Sequence, residues 1–289
     1  MPPTLSVIIP TVNEAQALPL LLGDLSQQTG VTLEIWVSDG GSTDHTVALA
    51  RHAGVQVVEG AAGRGAQMNR AHAGATAPLR LFLHADSRLT RSDQLCRAID
   101  AWQTQSGRGT AGHFPLRFAD APAEHQGLFA FMEAKTRSGR PGTIHGDQGL
   151  LIHRDDFDAL GRFDTRRPYF EDVTFSEAVF RQSRWLLLPD PLITSARRFV
   201  REGARARYAL MGLMMTLHAA GDEEFFDASQ RLYQQQHRAQ RLALAPYFQL
   251  AMSRLLRRPQ RWPALLRYGL TNAWQLPLML RIAVRHHRS

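Results

Sequence analysis

Strand-like and helix-like patterns alternate through the first ninety residues. Short apolar runs at Leu5–Pro10, Glu34–Asp39, Val55–Glu59 and Arg80–Asp86 each stop abruptly at polar groups, as buried strands do at their tips. Between the first two runs, Leu18, Leu21, Leu22 and Leu25 recur at helical spacing, and Gly30 closes the stripe. Asn13 with Gln16 has the form of a capping box, while Pro19 argues for a regular helix that starts later than Asn13. Two further helices are predicted over Thr46–Ala53 and Gly65–Ala75. This alternation predicts an α/β chain with a mostly parallel sheet and helices on both faces. Ligands of such sheets sit beyond the carboxyl ends of the strands.

After Ala101 the pattern changes. Strands are predicted at His113–Phe118, Gly149–Ile152 and Trp185–Leu188. Helices are predicted over Phe129–Arg137, in a short stretch ending near Gly161, and over Asp172–Gln182. From Gly203 onward only helical patterns remain, broken near Gly221, at Pro246 and around Pro259–Pro263, with a kink expected at Pro277. The charge changes with the pattern. Residues 246–289 hold eight arginines and no acid, and the rest of the chain balances 26 basic against 26 acidic residues. We therefore expect a main domain over 1–200 and a basic helical extension over 201–289. No uncharged run spans a bilayer: 208–221 and 268–280 have 14 and 13 residues, against about 20 needed. Cys96 is the only cysteine, which fits a reducing compartment. The first residues lack a basic region and a cleavage site. A cytoplasmic location is expected.

Four polar segments fall at predicted strand ends. They are Pro10-Thr11-Val12-Asn13-Glu14, the run from Ser38 and Asp39 through Gly40-Gly41 to Asp44, Gly63-Arg64-Gly65 with Asn69, and His84-Ala85-Asp86-Ser87. Asp86 is a hard oxygen ligand suited to Mg²⁺ or Mn²⁺, and such ions clamp phosphate oxygens. A Gly-Gly turn lets backbone approach a ligand closely. An arginine neutralises phosphate, and an acid accepts hydrogen bonds from a base or ribose. Each segment also has a plain structural reading: Asp39 and Ser42 as caps of the next helix, Arg64 as a solvated loop residue.

In that order, Ser6 to Glu14, Val37 to Asp44 and Gly63-Arg64-Gly65 with Asn69 resemble the nucleotide-sugar half of family 2 glycosyltransferases. Phe163-Asp164 followed by Glu171-Asp172 resembles the acceptor half. The resemblance covers roughly residues 4 to 200. His84-Ala85-Asp86-Ser87, Gly146-Asp147-Gln148-Gly149 and Thr194-Ser195-Ala196-Arg197-Arg198 look most like a bacterial subgroup labelled arsenosugar-biosynthesis-type or radical-SAM/selenodomain-associated transferase.

The resemblance implies a GT-A fold, with a Rossmann-like sheet, and transfer of a sugar from a nucleotide diphosphate donor, usually with inversion. It implies a nucleotide-sugar site built from Pro10, Thr11, Asn13, Glu14, Asp39 and Gly40, completed by Arg64, Asn69, Ala85 and Asp86. Among these, Asp39 matches the acid that reads the base. Asp86 matches the last acid of the family's Asp-x-Asp metal motif, where His84 replaces the first. Imidazole suits Mn²⁺ better than Mg²⁺, so either ion, or one held by Asp86 and the diphosphate alone, is compatible with this pair. Asp172 matches the general base, with its neighbour Glu171 as the alternative. One carboxylate in reach can take the acceptor's proton as the hydroxyl attacks. His145, Asp147 and Gln148 are expected near the acceptor, and Arg197 and Arg198 near the departing diphosphate. UDP is the commonest donor base in the family; the sugar and acceptor are not specified.

Two other functions compete. A sugar nucleotidyltransferase also uses a doubly wound sheet, but favours a glycine-rich signature with an early lysine; the only lysine here is Lys135. A catalytically silent nucleotide- or lipid-binding adaptor is kept open by His84. The basic extension has two readings, peripheral membrane contact through residues 246–289 or packing on the enzyme or a second copy. No nucleic-acid motif accompanies its charge, so no nucleic-acid partner is expected.

Overall fold

A computed structural model describes residues 2–105, 108–166, 169–238 and 242–286, with the side chains of 235–238 and 285–286 left aside. Contacts divide the chain into two compact units. The first comprises Met1–Arg117 and Thr136–Thr194; the second comprises Phe118–Lys135 and Ser195–Ser289.

The first unit is built on a seven-stranded sheet. Its strands in chain order are Leu5–Thr11 (β1), Leu33–Asp39 (β2), Gln56–Glu59 (β3), Leu79–Phe82 (β4), Thr110–His113 (β5), Leu150–His153 (β7) and Arg184–Leu187 (β8). Leu116–Ala119 (β6) and Leu192–Ser195 (β9) form a separate two-stranded sheet. The main sheet runs β3-β2-β1-β4-β7-β5-β8. β3, β2, β1 and β4 are parallel, and β7 runs antiparallel to both of its neighbours. β1 is buried along its whole length because both faces are covered. Leu5, Val7 and Ile9 join the core beneath the helix Leu18–Ser26, while Ile8 points into the opposite core with Phe82, Phe157, Phe163 and Phe175. The mixed α/β, mostly parallel architecture matches the expectation.

Several local expectations are corrected. The helix does start later than Asn13, as Pro19 implied: it begins at Leu18 with Pro19 in its first turn, where a missing N–H costs nothing, and it has no side-chain cap. Asn13 is no capping-box residue. It stands at φ 55°, and its Oδ1 accepts hydrogen bonds from the amides of Thr43 (2.8 Å) and Asp44 (3.3 Å). The run Arg80–Asp86 is strand only to Phe82. The Leu83 amide makes one more bond, to Ile8 O at 3.0 Å, and the chain then turns, with the Ser87 amide donating to His84 O. Pro115, which has no N–H, separates β5 from β6, so the single strand expected at His113–Phe118 is two strands in different sheets. β9 was not anticipated.

At the opposite edge of the sheet, where β1 and β4 begin, Arg80 is 2% exposed. Its guanidinium donates to His72 Nδ1, Ser6 Oγ and the carbonyls of Ala75 and Ala77. His72 in turn meets Asp158 at 2.9 Å, which also binds Arg162. Burial lowers Arg80 to about 10, still charged at neutral pH.

The second unit contains helices at Arg197–Glu202, Ala204–Ala219, Glu223–Arg238, Ala245–Arg257, Trp262–Asn272 and Gln275–His286. The kink expected at Pro277 is absent, because Pro277 lies in the first turn of its helix. Phe118, Phe129 and Phe199 pack edge to face, and Leu278 and Ile282 lie against their cluster. Asp222 is fully buried and bridges Arg254 and Arg261. Among the described residues no helix is long and apolar enough to cross a membrane.

Candidate active site

Two loops at the carboxyl ends of β1 and β2 are tied into one body. Besides the Asn13 bonds, the Asn13 amide donates to Ser42 Oγ and the Glu14 amide to Thr46 Oγ1, each at 2.8 Å. Asp39 is 1% exposed. Its Oδ1 accepts from Thr11 Oγ1 and Ser42 Oγ, and its Oδ2 from the amides of Gly41 and Ser42. Burial alone would raise Asp39, but these hydrogen bonds outweigh it and hold the carboxylate below its ordinary range. Two donors per oxygen fill its acceptor positions. A further donor to Asp39 would have to displace one of these four. Gly40 is enclosed: a Cβ there would meet Val12 at 2.8 Å and Gln67 at 2.9 Å. Pro10 is buried inside β1.

Sequence reasoning missed Gln67 and Arg70. The Gln67 amide donates to Thr11 O (2.9 Å) and Ser38 O (2.8 Å), clamping the ends of β1 and β2. Arg70 donates to Ser38 Oγ and to the Asp39 and Ala61 carbonyls. The available signal was a glutamine beside Met68 on the buried face of a helix, which demands polar partners. Asn69 has a different task from the one expected. Both ends of its amide bind the backbone of Phe163, at 2.8 and 3.2 Å. It anchors the segment leading to Glu171.

The chemical centre lies where Arg64, His84, His145, Gly146, Glu171 and Asp172 line one pocket, whose inner wall is Met68, Phe82, Phe163, Phe175 and Trp185. Arg64 opens the helix Arg64–Gly74 after Gly63, whose φ of 141° suits glycine. Its Nε donates to Glu171, its Nη2 lies 3.7 Å from Asp172 Oδ1, and its Nη1 lies 3.5 Å from His84 Nε2. Asp172 Oδ2 accepts from the Gly146 amide at 2.8 Å and Oδ1 from the Val173 amide at 2.9 Å. A Cβ on Gly146 would meet His84 Nε2 at 3.1 Å and Asp172 Oδ2 at 3.3 Å, so the loop passes closely between them.

The neighbouring acids are shifted in opposite directions. Burial pushes Glu171 up, with Arg64 opposing. Burial also acts against ionised Asp172, but Arg64, His145, the Gly146 amide and His84 together hold it below its ordinary range. Glu171 is 4% exposed and covered by Arg64, whereas Asp172 is 13% exposed. Asp172 is thus the more readily ionised and the more reachable of the two. Asp147 is pushed up to about 7 by burial and by Asp172, with Arg64 opposing and Asp86 adding. Its Oδ1 is buried without a hydrogen-bond partner.

Gln148 and Ala85 do not line this pocket. Gln148 is fully buried, its Oε1 accepting from His113 Nδ1 (3.0 Å) and its Nε2 donating to Thr143 O (2.7 Å). It shapes the loop and is not open to a ligand. Ala85 is 4% exposed. Arg197 and Arg198 belong to the second unit, exposed at the start of their helix.

His113 supplies a test of this loop. It is 0% exposed, and burial lowers it from 6.5 to about 4, with the Gln148 bond opposing. Its folded value lies below its unfolded one, so between these limits the unfolded chain binds the extra proton. The stability from neutral His113 is complete above the window and is lost as pH falls through it, by roughly 3 kcal/mol in all. Urea midpoints of His113→Gln should therefore depend less on pH across that window than those of the parent; equal slopes refute the assignment.

Among the described residues no three His, Cys, Asp or Glu side chains gather as a ready ligand set. The donors present nevertheless suit a divalent ion held partly by a ligand's phosphates. Asp86 influences Asp147 electrostatically, and the orphaned Asp147 oxygen is a group that a cation would satisfy.

A polar centre at the carboxyl ends of a mixed, mostly parallel α/β sheet stands where ligands of such sheets bind. The sequence profile of glycosyl transferase family 2 matches residues 6–167, and the chain belongs to that family. Over 102 residues it is 37% identical to a PGL/p-HBAD biosynthesis glycosyltransferase of Mycobacterium bovis, covering 33% of this chain and 40% of that protein. The chain thus spans well under half the length of this curated relative. The fold is shared with a mannosyltransferase from Pyrobaculum calidifontis solved with GDP-Man and Mn²⁺, at TM-score 0.58 and 20% identity over 98% of this chain and 86% of that one. It is also shared with TarS 1-349 of S. aureus in complex with UDP, at TM-score 0.54 and 19% identity over 66% and 60%. The fold is therefore of GT-A type.

Proposed function

We propose that this chain transfers a glycosyl group from a nucleotide diphosphate sugar to an acceptor hydroxyl, with inversion. The observation that carries the reading is the convergence of Arg64, His84 and Asp172 on one pocket of a family 2 chain. The neighbours solved with UDP and with GDP-Man support a nucleotide donor. The body formed by Thr11, Asn13, Asp39 and Gly40 holds the nucleoside, with Glu14 beside it. Arg64 faces the diphosphate.

Asp172 takes the acceptor's proton as the acceptor oxygen bonds to the anomeric carbon. The bond from that carbon to the diphosphate breaks, and its electron pair leaves on the phosphate oxygen. One displacement from the face opposite the leaving group inverts the centre. The transition state has oxocarbenium character, so positive charge near the departing oxygen lowers the barrier. Asp86 and His84, with Asp147 alongside, are the residues to hold Mn²⁺ or Mg²⁺, which supplies such charge when bound. Glu171 acts through Arg64, holding the guanidinium over the pocket.

The run from His84 to Ser87 and the motif Gly146–Gly149 keep the arsenosugar-biosynthesis-type subgroup as the finer assignment. Peripheral contact of residues 246–289 with the inner face of the cell membrane completes the reading. Thermal unfolding with UDP and with GDP, each with and without Mn²⁺, tests the donor site. A rise in midpoint with one nucleotide, larger with the ion, is expected, because a ligand of the folded state alone stabilises it. Equal midpoints throughout would remove the donor site and the transferase with it.

A further inference from the structure

Large apolar side chains left in water gather in one part of the sequence. Of the fourteen exposed ones among the described residues, ten lie between Phe248 and Val284. They recur at one-turn spacing. Met252 and Leu256, Leu266 and Leu270, and Leu276 and Leu280 each stand four residues apart on one of three successive helices. Leu270 is 78% exposed. These helices are already packed on their other sides. Tyr247 and Ala251 are buried, and Leu278 and Ile282 lie against the aromatic cluster of the second unit. The outward stripes are therefore additional to those that hold the unit together. A helix that is apolar on two sides has a second use for the outer one.

The charge beside the stripes selects the occupant. Arg257, Arg267 and Arg281 are exposed on the same three helices, and residues 246–289 contain no acid. A second copy laid on this surface would bring arginine toward arginine with no carboxylate from the segment between them. An anionic bilayer offers both complements, acyl chains for the leucines and phosphates for the arginines. We infer that the outward faces of Ala245–Arg257, Trp262–Asn272 and Gln275–His286 form a docking surface for anionic phospholipid, entering the headgroup–acyl boundary without crossing it. The helices have 13, 11 and 12 residues, too short to span a bilayer. The indole of Trp262 is half exposed and stands at the start of the middle helix, as interfacial tryptophans do.

This inference rests on the membrane part of the proposed function and is independent of glycosyl transfer. The full chain is mixed with vesicles of phosphatidylcholine alone and with vesicles containing phosphatidylglycerol, and bound protein is measured by sedimentation. Binding to the anionic vesicles only, weakening as salt rises, is expected. The combined variant Leu256→Ser, Leu266→Ser, Leu270→Ser and Leu280→Ser should lower that binding at least about tenfold. All four positions are exposed, so its thermal midpoint and nucleotide response should match the parent's. As a second measurement, brominated lipid should quench tryptophan fluorescence in the parent and quench less in Trp262→Phe. If the parent binds anionic vesicles and both variants bind and quench as the parent does, the docking face is wrong while membrane contact stands. Absence of binding to either vesicle overturns both. A concentration-dependent dimer abolished by the serine variant assigns the face to a second copy and also overturns the inference. Nucleotide-induced stabilisation, read separately, decides the transferase reading whichever way the vesicles answer.

Discussion

Asp172→Asn is expected to lower kcat by about 10²- to 10⁴-fold while leaving donor affinity unchanged. The carboxylate accepts one amide on each oxygen, from Val173 and from Gly146. An asparagine keeps one of these bonds and turns an NH₂ toward the other donor, a loss of about 1 kcal/mol in stability. Such a loss leaves the protein folded, so a collapse of turnover reports on proton removal. The comparison with Glu171→Gln sharpens the test. Glu171 lies under Arg64 and is nearly inaccessible, so its replacement should disturb stability more and proton transfer less. Nucleotide release measured under saturating donor, beside calorimetric donor binding, gives both quantities. Full turnover in Asp172→Asn, with donor binding intact, would transfer the base assignment elsewhere.

Arg64→Gln is expected to fail in two ways at once. It removes the cation that faces the donor's diphosphate, and it leaves Glu171 and Asp172 adjacent with no counter-charge. Breaking a fully buried pair costs about 3–5 kcal/mol; Arg64 is 40% exposed, so solvent screening brings the expected loss to about 1–3 kcal/mol. The loss should depend on pH in a fixed direction. Glu171 is already raised by burial with Arg64 holding it down, and without Arg64 it rises further. Its folded value then lies above its unfolded one, so its contribution is present at low pH and is lost as pH rises through the folded value. Urea midpoints should fall further below the parent's at about pH 8 than at about pH 5. A variant with the parent's midpoints at both values and the parent's donor affinity would show that Arg64 is only a solvated loop residue.

The legible parts of this chain were those where one residue's neighbours in sequence decide its state. β1 and β2 announced themselves through the apolar triplets Val7-Ile8-Ile9 and Ile35-Trp36-Val37, each of which ends at polar groups within a few residues. The termini of the helices at Thr46 and at Glu171 were near their expected places. β9 escaped because it is short and half-buried, with Thr194 and Ser195 in it, and its pairing with β6 and with Arg88 joins residues far apart in sequence. Gly63, Arg64 and Asp172 were readable as a motif, but the meeting of Arg64 with Glu171 spans 107 positions and no local signal records it. The same limit explains Asn69 and Gln148. Each stands in a motif, and each spends its amide on backbone or on a buried partner rather than facing the pocket. Asn13 looked like a cap because its spacing to Gln16 fits one; a left-handed backbone turned its side chain to the other loop instead.

Arg64 and His72 stand on one helix, eight residues or about 12 Å apart. Its far end is bolted down through His72 to Arg80 and Asp158, and its middle through Gln67 and Asn69 to three separate stretches of backbone. The helix is a strut fixed at several points along its length, not a lever. A guanidinium that trades a carboxylate for a phosphate must therefore do so by turning about its own side-chain bonds. Such a swap is a side-chain rotamer change rather than one of the slower motions of whole helices. It would leave no backbone difference between empty and donor-filled enzyme at this end of the sheet.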